Sequence, residues 1–189
     1  MSWIELIDWI CLVTGIAYIL LEIGQRSAMW VIGIFTGAAC AFSFGWQHAW
    51  ASMGLNLYYV GMSVWGLIQW RRDDASDGEG IHLRQLTWPV AAVSAAILVL
   101  GTPLLARVLR LGGDPAPWLD AVVFLLSAVG TWWLARAYPQ QWLLWIVADT
   151  LTTALCVVLG SRLLTVLYAA YTLSAVYGYI HWIKKGKKI

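Results

Sequence analysis

Most side chains of this sequence that could do chemistry stand singly in apolar surroundings, and one short stretch gathers three of them. In QQWLLWIVAD, residues 140–149, Trp142 and Trp145 are one helical turn apart and Asp149 lies one further turn on. Residues three and four apart are neighbours on a helix surface, so the two indoles and the carboxylate share a face. Asp149 is roughly 10 Å beyond Trp142 at about 1.5 Å per residue. Aromatic faces attract positive charge through their quadrupole, and a carboxylate adds its own, so the set is suited to a flat organic cation. Asp149 also has a structural reading, in which it caps or hydrogen-bonds neighbouring Thr and Tyr hydroxyls. Trp142 can equally be an interfacial indole, whereas Trp145 lies a turn deeper, where an indole has less reason to face lipid.

Four further polar groups interrupt apolar runs: Asn56 and Tyr59 in one, Tyr168 and Tyr171 in another. These could hydrogen-bond a polar ligand. A mid-span Asn can instead bond another helix, contributing around 1 kcal/mol. Trp30 is a candidate for a pocket rim. No set for catalysis is visible: HExxH, GxSxG and Gly-rich phosphate loops are all missing. His48, His82 and His181 stand alone, and DDASDGEG lacks a calcium-loop spacing. Neither a catalytic centre, a metal site nor a cofactor is expected. An intramembrane enzyme is the rival class and has no residues to support it. Cys11, Cys40 and Cys156 are expected to pack as small hydrophobes, with no disulfide framework.

The elements that must position these groups follow from composition. The 189 residues are 61% hydrophobic and 12% charged, against about 25% charged in a soluble domain, so the chain is an integral membrane protein of all-α class. Runs long enough to cross a bilayer occur at Trp3 to Gly24, Met29 to Trp46, Trp50 to Trp70, Trp88 to Leu109, Leu119 to Tyr138, Trp142 to Leu159 and Leu163 to Ile183. The third and seventh are the clearest. Arg71 to Arg84 and Leu111 to Pro117 read as loops. Trp3, Trp70, Trp88 and Trp182 read as interfacial belt residues. The N-terminus carries Glu5 and Asp8 instead of a basic leader, so the first span is expected to stay.

Lys and Arg placement orients seven spans. Arg26, Arg71, Arg72, Arg84, Arg136, Lys184, Lys185, Lys187 and Lys188 fall on one side; Arg107, Arg110 and Arg162 fall on the other. The C-terminus is therefore expected in the cytoplasm and the N-terminus outside. The lysine tail reads as an orientation signal; no nucleic-acid partner is expected.

One offset organises the chain. Adding 112 to Asp8, Trp30, Tyr59, Gly66 and Trp70 gives Asp120, Trp142, Tyr171, Gly178 and Trp182. Asn56 and Tyr168 are equivalent under the same shift. Two three-helix units joined directly would lie inverted, and one intervening helix restores their orientation. The expected architecture is seven transmembrane helices in a 3+1+3 parallel-repeat arrangement: residues 1–72, a loop and joining helix over 73–112, and residues 113–189. Parallel repeats place substrate sites between them near mid-membrane. Gly33, Gly37, Gly61, Gly66 and Gly178 are expected to serve close packing more than hinging.

Several of these segments carry a family resemblance: SWIELIDWICLVTGIAYILLEIGQ at the start, WGxxxW closing the third span, WLLW at 142–145 and YGxxxW closing the seventh. Together they resemble the PnuC nicotinamide riboside transporters, which are similar in fold to the SWEET sugar transporters. The resemblance implies uptake of that vitamin across a bacterial inner membrane by facilitated diffusion. It also implies a homotrimer and trapping of the vitamin by a cytoplasmic kinase. The WxxW motif falls on Trp142 and Trp145. Asp149 departs from the amide side chain expected at its position in some relatives. Thiamine, also a flat cation, is the alternative substrate, and Glu22 to Arg26 resembles some thiamine-type members or is a local ion pair.

Overall fold

The described residues form seven α-helices: α1 (Trp3–Ile23), α2 (Ala28–Trp46), α3 (Trp50–Asp77), α4 (Trp88–Leu111), α5 (Pro117–Ala135), α6 (Gln141–Val158) and α7 (Arg162–Lys185). The computed structural model describes residues 3–46, 50–77, 80–158, 160 and 162–188. Expectations for the side chains of Trp3, Asp8, Cys11 and His48 lie outside the described residues. Among the described residues, four helices are long and apolar enough to cross a membrane by length and composition alone: α2, α4, α5 and α6. α3 continues past its apolar part through RRDDASD, and α7 through two lysines.

The α1–α2 turn is built by backbone geometry that recurs 112 residues later. Gln25 takes the left-handed conformation at φ 48°. Its N–H donates to Glu22 O and the N–H of Arg26 to Leu21 O, both at 2.9 Å, the paired bonds that satisfy the last carbonyls of a helix. Between α5 and α6, Ala137 has φ 56°. There Ala137 N–H donates to Leu134 O at 2.8 Å and Tyr138 N–H to Trp133 O at 3.0 Å. A left-handed non-glycine residue costs about 1–2 kcal/mol. In the first turn the Gln25 side chain offsets part of this, because its amide donates to His82 O at 3.0 Å and accepts the His82 N–H.

The chain forms two compact units, one of Met1–Leu83, Leu134–Ala137 and His181–Ile189, the other of Arg84–Trp133 and Tyr138–Ile180. In the first unit α1 packs on α2 and α2 on α3. In the second, α4 is fastened to α5, since the Trp133 indole N–H donates to Ser94 Oγ at 3.0 Å. Ser94 Oγ in turn donates to Val90 O. Around that bond Val129, Trp133 and Tyr138 are buried against Val90 and Leu98 of α4 and Leu144 of α6.

Five expectations are corrected. α3 does not stop at Trp70; Arg71 to Asp77 contains neither Gly nor Pro, and the helix continues to Asp77. The following segment is more than a solvated connector: strand β1 (His82–Leu83) pairs in parallel with β2 (Lys187–Lys188). His82 does not stand alone, being 3% exposed, bonded to Gln25 and 3.6 Å from Asp74 Oδ1. Trp70 and Trp182 are not belt residues, at 3% and 0% exposed. Their rings meet at 6.1 Å, and the Trp182 N–H donates to Glu22 O and Ile23 O at 3.2 and 3.1 Å. Trp88 is 82% exposed. The cysteine expectation also changes, because Cys40 is disulfide-bonded. Cys156 is buried and free.

Candidate functional site

α6 carries Trp142, Trp145 and Asp149 on one face, as their spacing requires. Trp142 is 2% exposed, its ring pressed on α7 at Gly178, where a Cβ would lie 2.6 Å from Cη2 and Cζ2. Only glycine admits that approach. Trp145, half-buried, lies against α5, with Cε2 and Nε1 both 3.4 Å from the place of a Gly130 Cβ. Its N–H has no hydrogen-bond partner among the described residues. Asp149 is 9% exposed.

Around Asp149 the structure brings together the α7 phenols that the repeat singled out. Tyr168 and Tyr171 both stand within electrostatic range of the Asp149 carboxyl, and their rings meet edge-on at 5.8 Å. Cys156, two turns beyond Asp149 on α6, also lies near Tyr168. The α6 threonines are otherwise engaged. Thr150, Thr152 and Thr153 donate to the carbonyls of Ile146, Ala148 and Asp149. A hydroxyl has one proton to give, so none of these stabilises the Asp149 carboxylate by donation.

Asn56, Tyr59 and Trp30 belong to the first unit. Trp30 is 0% exposed, its ring against Gly66 as Trp142 is against Gly178: a Cβ at Gly66 would lie 2.5 Å from Cε2. It meets Trp70 edge-on at 5.1 Å and Tyr18 at 6.4 Å, which makes it a core residue. Asn56 Nδ2 donates to Ser52 O of its own helix at 2.9 Å. Tyr59 is tilted against Tyr58 at 6.1 Å and lies near Tyr18.

Sequence reasoning missed Tyr18 and Gly130, although the 112-residue shift held the signal. It equates Gly33 with Trp145 and Tyr18 with Gly130. A Cβ on Gly33 would lie 3.1 Å from Tyr18 Cε2. The same contact is therefore made in both halves with ring and glycine exchanged between the helices. Likewise Gly37, whose Cβ would lie 3.4 Å from Asn56 O, is the counterpart of Asp149 beside Tyr168. Glycine closes the first contact, and a carboxylate occupies the second.

Among known proteins, the nicotinamide mononucleotide transporter family matches residues 3–184. The nicotinamide riboside transporter PnuC of Neisseria mucosa is 28% identical, covering 93% of this chain and 71% of that protein. The riboflavin/roseoflavin transporter RibM of Streptomyces davaonensis is 25% identical over 90% of this chain and 82% of its own. The crystal structure of the vitamin B3 transporter PnuC superposes with a TM-score of 0.74 at 28% identity, covering 95% of this chain and 81% of that one.

Proposed function

The chain belongs to the nicotinamide mononucleotide transporter family, and on that footing we propose that it takes up nicotinamide riboside across a bacterial inner membrane by facilitated diffusion. The observation that carries the substrate assignment is the burial of Asp149 beside Tyr168 and Tyr171. A carboxylate near mid-span costs on the order of 2.5–3.5 kcal/mol on insertion scales. A pyridinium neighbour offsets that cost, and an uncharged vitamin such as riboflavin does not. In this reading Trp145 offers the stacking face and a hydrogen-bond donor, Asp149 the countercharge, and Tyr168 and Tyr171 phenols for ribose or amide. Trp142 forms the rim. By the 112-residue correspondence Asn56 and Tyr59 are the first repeat's polar counterparts of Tyr168 and Tyr171, and Trp30 is packed in the core there.

The recurrent turn and the two ring-on-glycine contacts, all offset by 112 residues, support seven spans in a 3+1+3 arrangement of residues 1–72, 73–112 and 113–189. Basic-residue placement supports a cytoplasmic C-terminus and an external N-terminus. A homotrimer and trapping by a cytoplasmic kinase complete the proposal on the strength of the resemblance. Thiamine is the second reading, since Asp149 serves its cationic ring equally.

Purified protein in vesicles is expected to equilibrate labelled nicotinamide riboside without an ion gradient. Strict dependence on a proton or sodium gradient would remove facilitated diffusion. Stronger competition by thiamine than by unlabelled nicotinamide riboside would reassign the vitamin, and dominance of riboflavin would refute the cationic site.

A further inference from the structure

Glu22 is a buried carboxylate to which that reading assigns no role. It lies in the last turn of α1, 4% exposed, four residues after Tyr18. Trp145 and Asp149 have the same spacing: a ring, then a carboxylate one turn on along the same face. The Tyr18 phenol stands within electrostatic range of both Glu22 and Tyr59. Tyr59 is the counterpart of Tyr171, which stands in range of Asp149. Tyr18 meets Gly33 as Trp145 meets Gly130. Each half thus carries ring, carboxylate and phenol, with ring and acid taken from the first helix in one half and the second helix in the other.

Ionisable residues inside membrane helices are costly and mark substrate paths or relays. The C-terminal end of a helix also carries partial negative charge, and Glu22 sits at that end of α1. The Trp182 N–H, bonded to the carbonyls of Glu22 and Ile23, holds the end in place. We infer that Tyr18, Glu22 and Tyr59 form a second cation-accepting subsite in the first repeat, occupied by a flat aromatic cation in transit between the membrane interior and the adjacent surface. This rests on the cationic-vitamin reading. Its place in the last turn of α1, against the mid-helix place of Asp149 in α6, makes it a waypoint that governs passage more than affinity. The exposed Arg26, four residues further on, supplies the rival role for Glu22, a local ion pair.

The test uses the full chain in vesicles and two probes of closely similar size, labelled nicotinamide riboside and its uncharged 1,4-dihydro form. Glu22→Gln is expected to slow entry of the cation about tenfold while leaving entry of the dihydro form and the equilibrium affinity for the cation within about twofold. Arg26→Gln is expected to leave the ratio of the two rates unchanged. Equal slowing of both probes, slowing of neither, or the same effect from Arg26→Gln overturns the subsite. If Glu22→Gln yields no monodisperse protein, Glu22→Asp, which keeps the charge, is expected to preserve the preference for the cation, and its loss overturns the subsite. Where the wild type carries thiamine instead, thiamine is the cation compared. A wild type that carries neither cation refutes the functional reading itself, whereas normal cation entry in Glu22→Gln refutes only the subsite.

Discussion

Replacing Gly178 by Ala tests whether the ring-on-glycine contact holds α6 to α7. Carbon atoms rest at about 3.5–4.0 Å, and the new methyl would meet Trp142 Cη2 and Cζ2 at 2.6 Å and Cε2 at 2.8 Å. The overlap is about 0.9 Å against three atoms of one rigid ring. The ring is 2% exposed and has little free space to swing into, which places the cost near the top of the roughly 1–3 kcal/mol range for overpacking. Alanine returns about 1 kcal/mol of helix propensity, for a net loss of about 2 kcal/mol. Gly61 supplies the control on α3, because a Cβ there meets nothing within 4 Å. Gly61→Ala collects only the propensity gain, so the two variants are expected to separate by about 3 kcal/mol. Reversible unfolding of detergent-solubilised protein, followed by tryptophan fluorescence, measures the difference. Indistinguishable stabilities for the two variants would refute the packing argument, and failure of Trp142→Phe to recover part of the loss would refute its attribution to the indole.

Asp149→Asn is expected to weaken nicotinamide riboside binding at least tenfold, about 1.4 kcal/mol, with Trp145→Ala comparable; titration calorimetry checks both. Affinities equal to wild type would refute the pocket assignment. Trp182→Phe removes the donor to Glu22 O and Ile23 O and is expected to lower stability by about 1–3 kcal/mol with affinity retained, a split visible by comparing unfolding with binding. Ser94→Ala takes the acceptor from the Trp133 N–H and is expected to cost a similar amount, read as faster hydrogen exchange in α4.

The parts legible in sequence are those whose signal is local or periodic. Apolar runs locate α2, α4, α5 and α6, and the 112-residue offset marks Tyr168 and Tyr171, which stand within electrostatic range of Asp149. Trp70 and Trp182 were equated by that offset and still misread, because an indole at the end of an apolar run fits an interfacial belt as well as a buried contact. What separates the two is the Glu22 carbonyl, 160 residues from Trp182, and pairings at that range leave no local trace. The β1–β2 pair was hidden for the same reason. Tyr18 escaped notice through the exchange of ring and glycine, since matching identical residues discards positions where a contact survives with its partners reversed.

The pairing of residues 181–188 with the first unit also bears on how the chain is made. A nascent chain emerges in order, and domains commonly fold as they appear. Here the α1 carbonyls that Trp182 covers and the β1 edge that Lys187 pairs with wait through the synthesis of about a hundred further residues. During that interval the early helices hold a docking place for a segment not yet made, and non-local closure of this kind is slow because the loop entropy is lost before the contacts form. The late segment thus acts as a completion signal, after which the early half reaches its final packing.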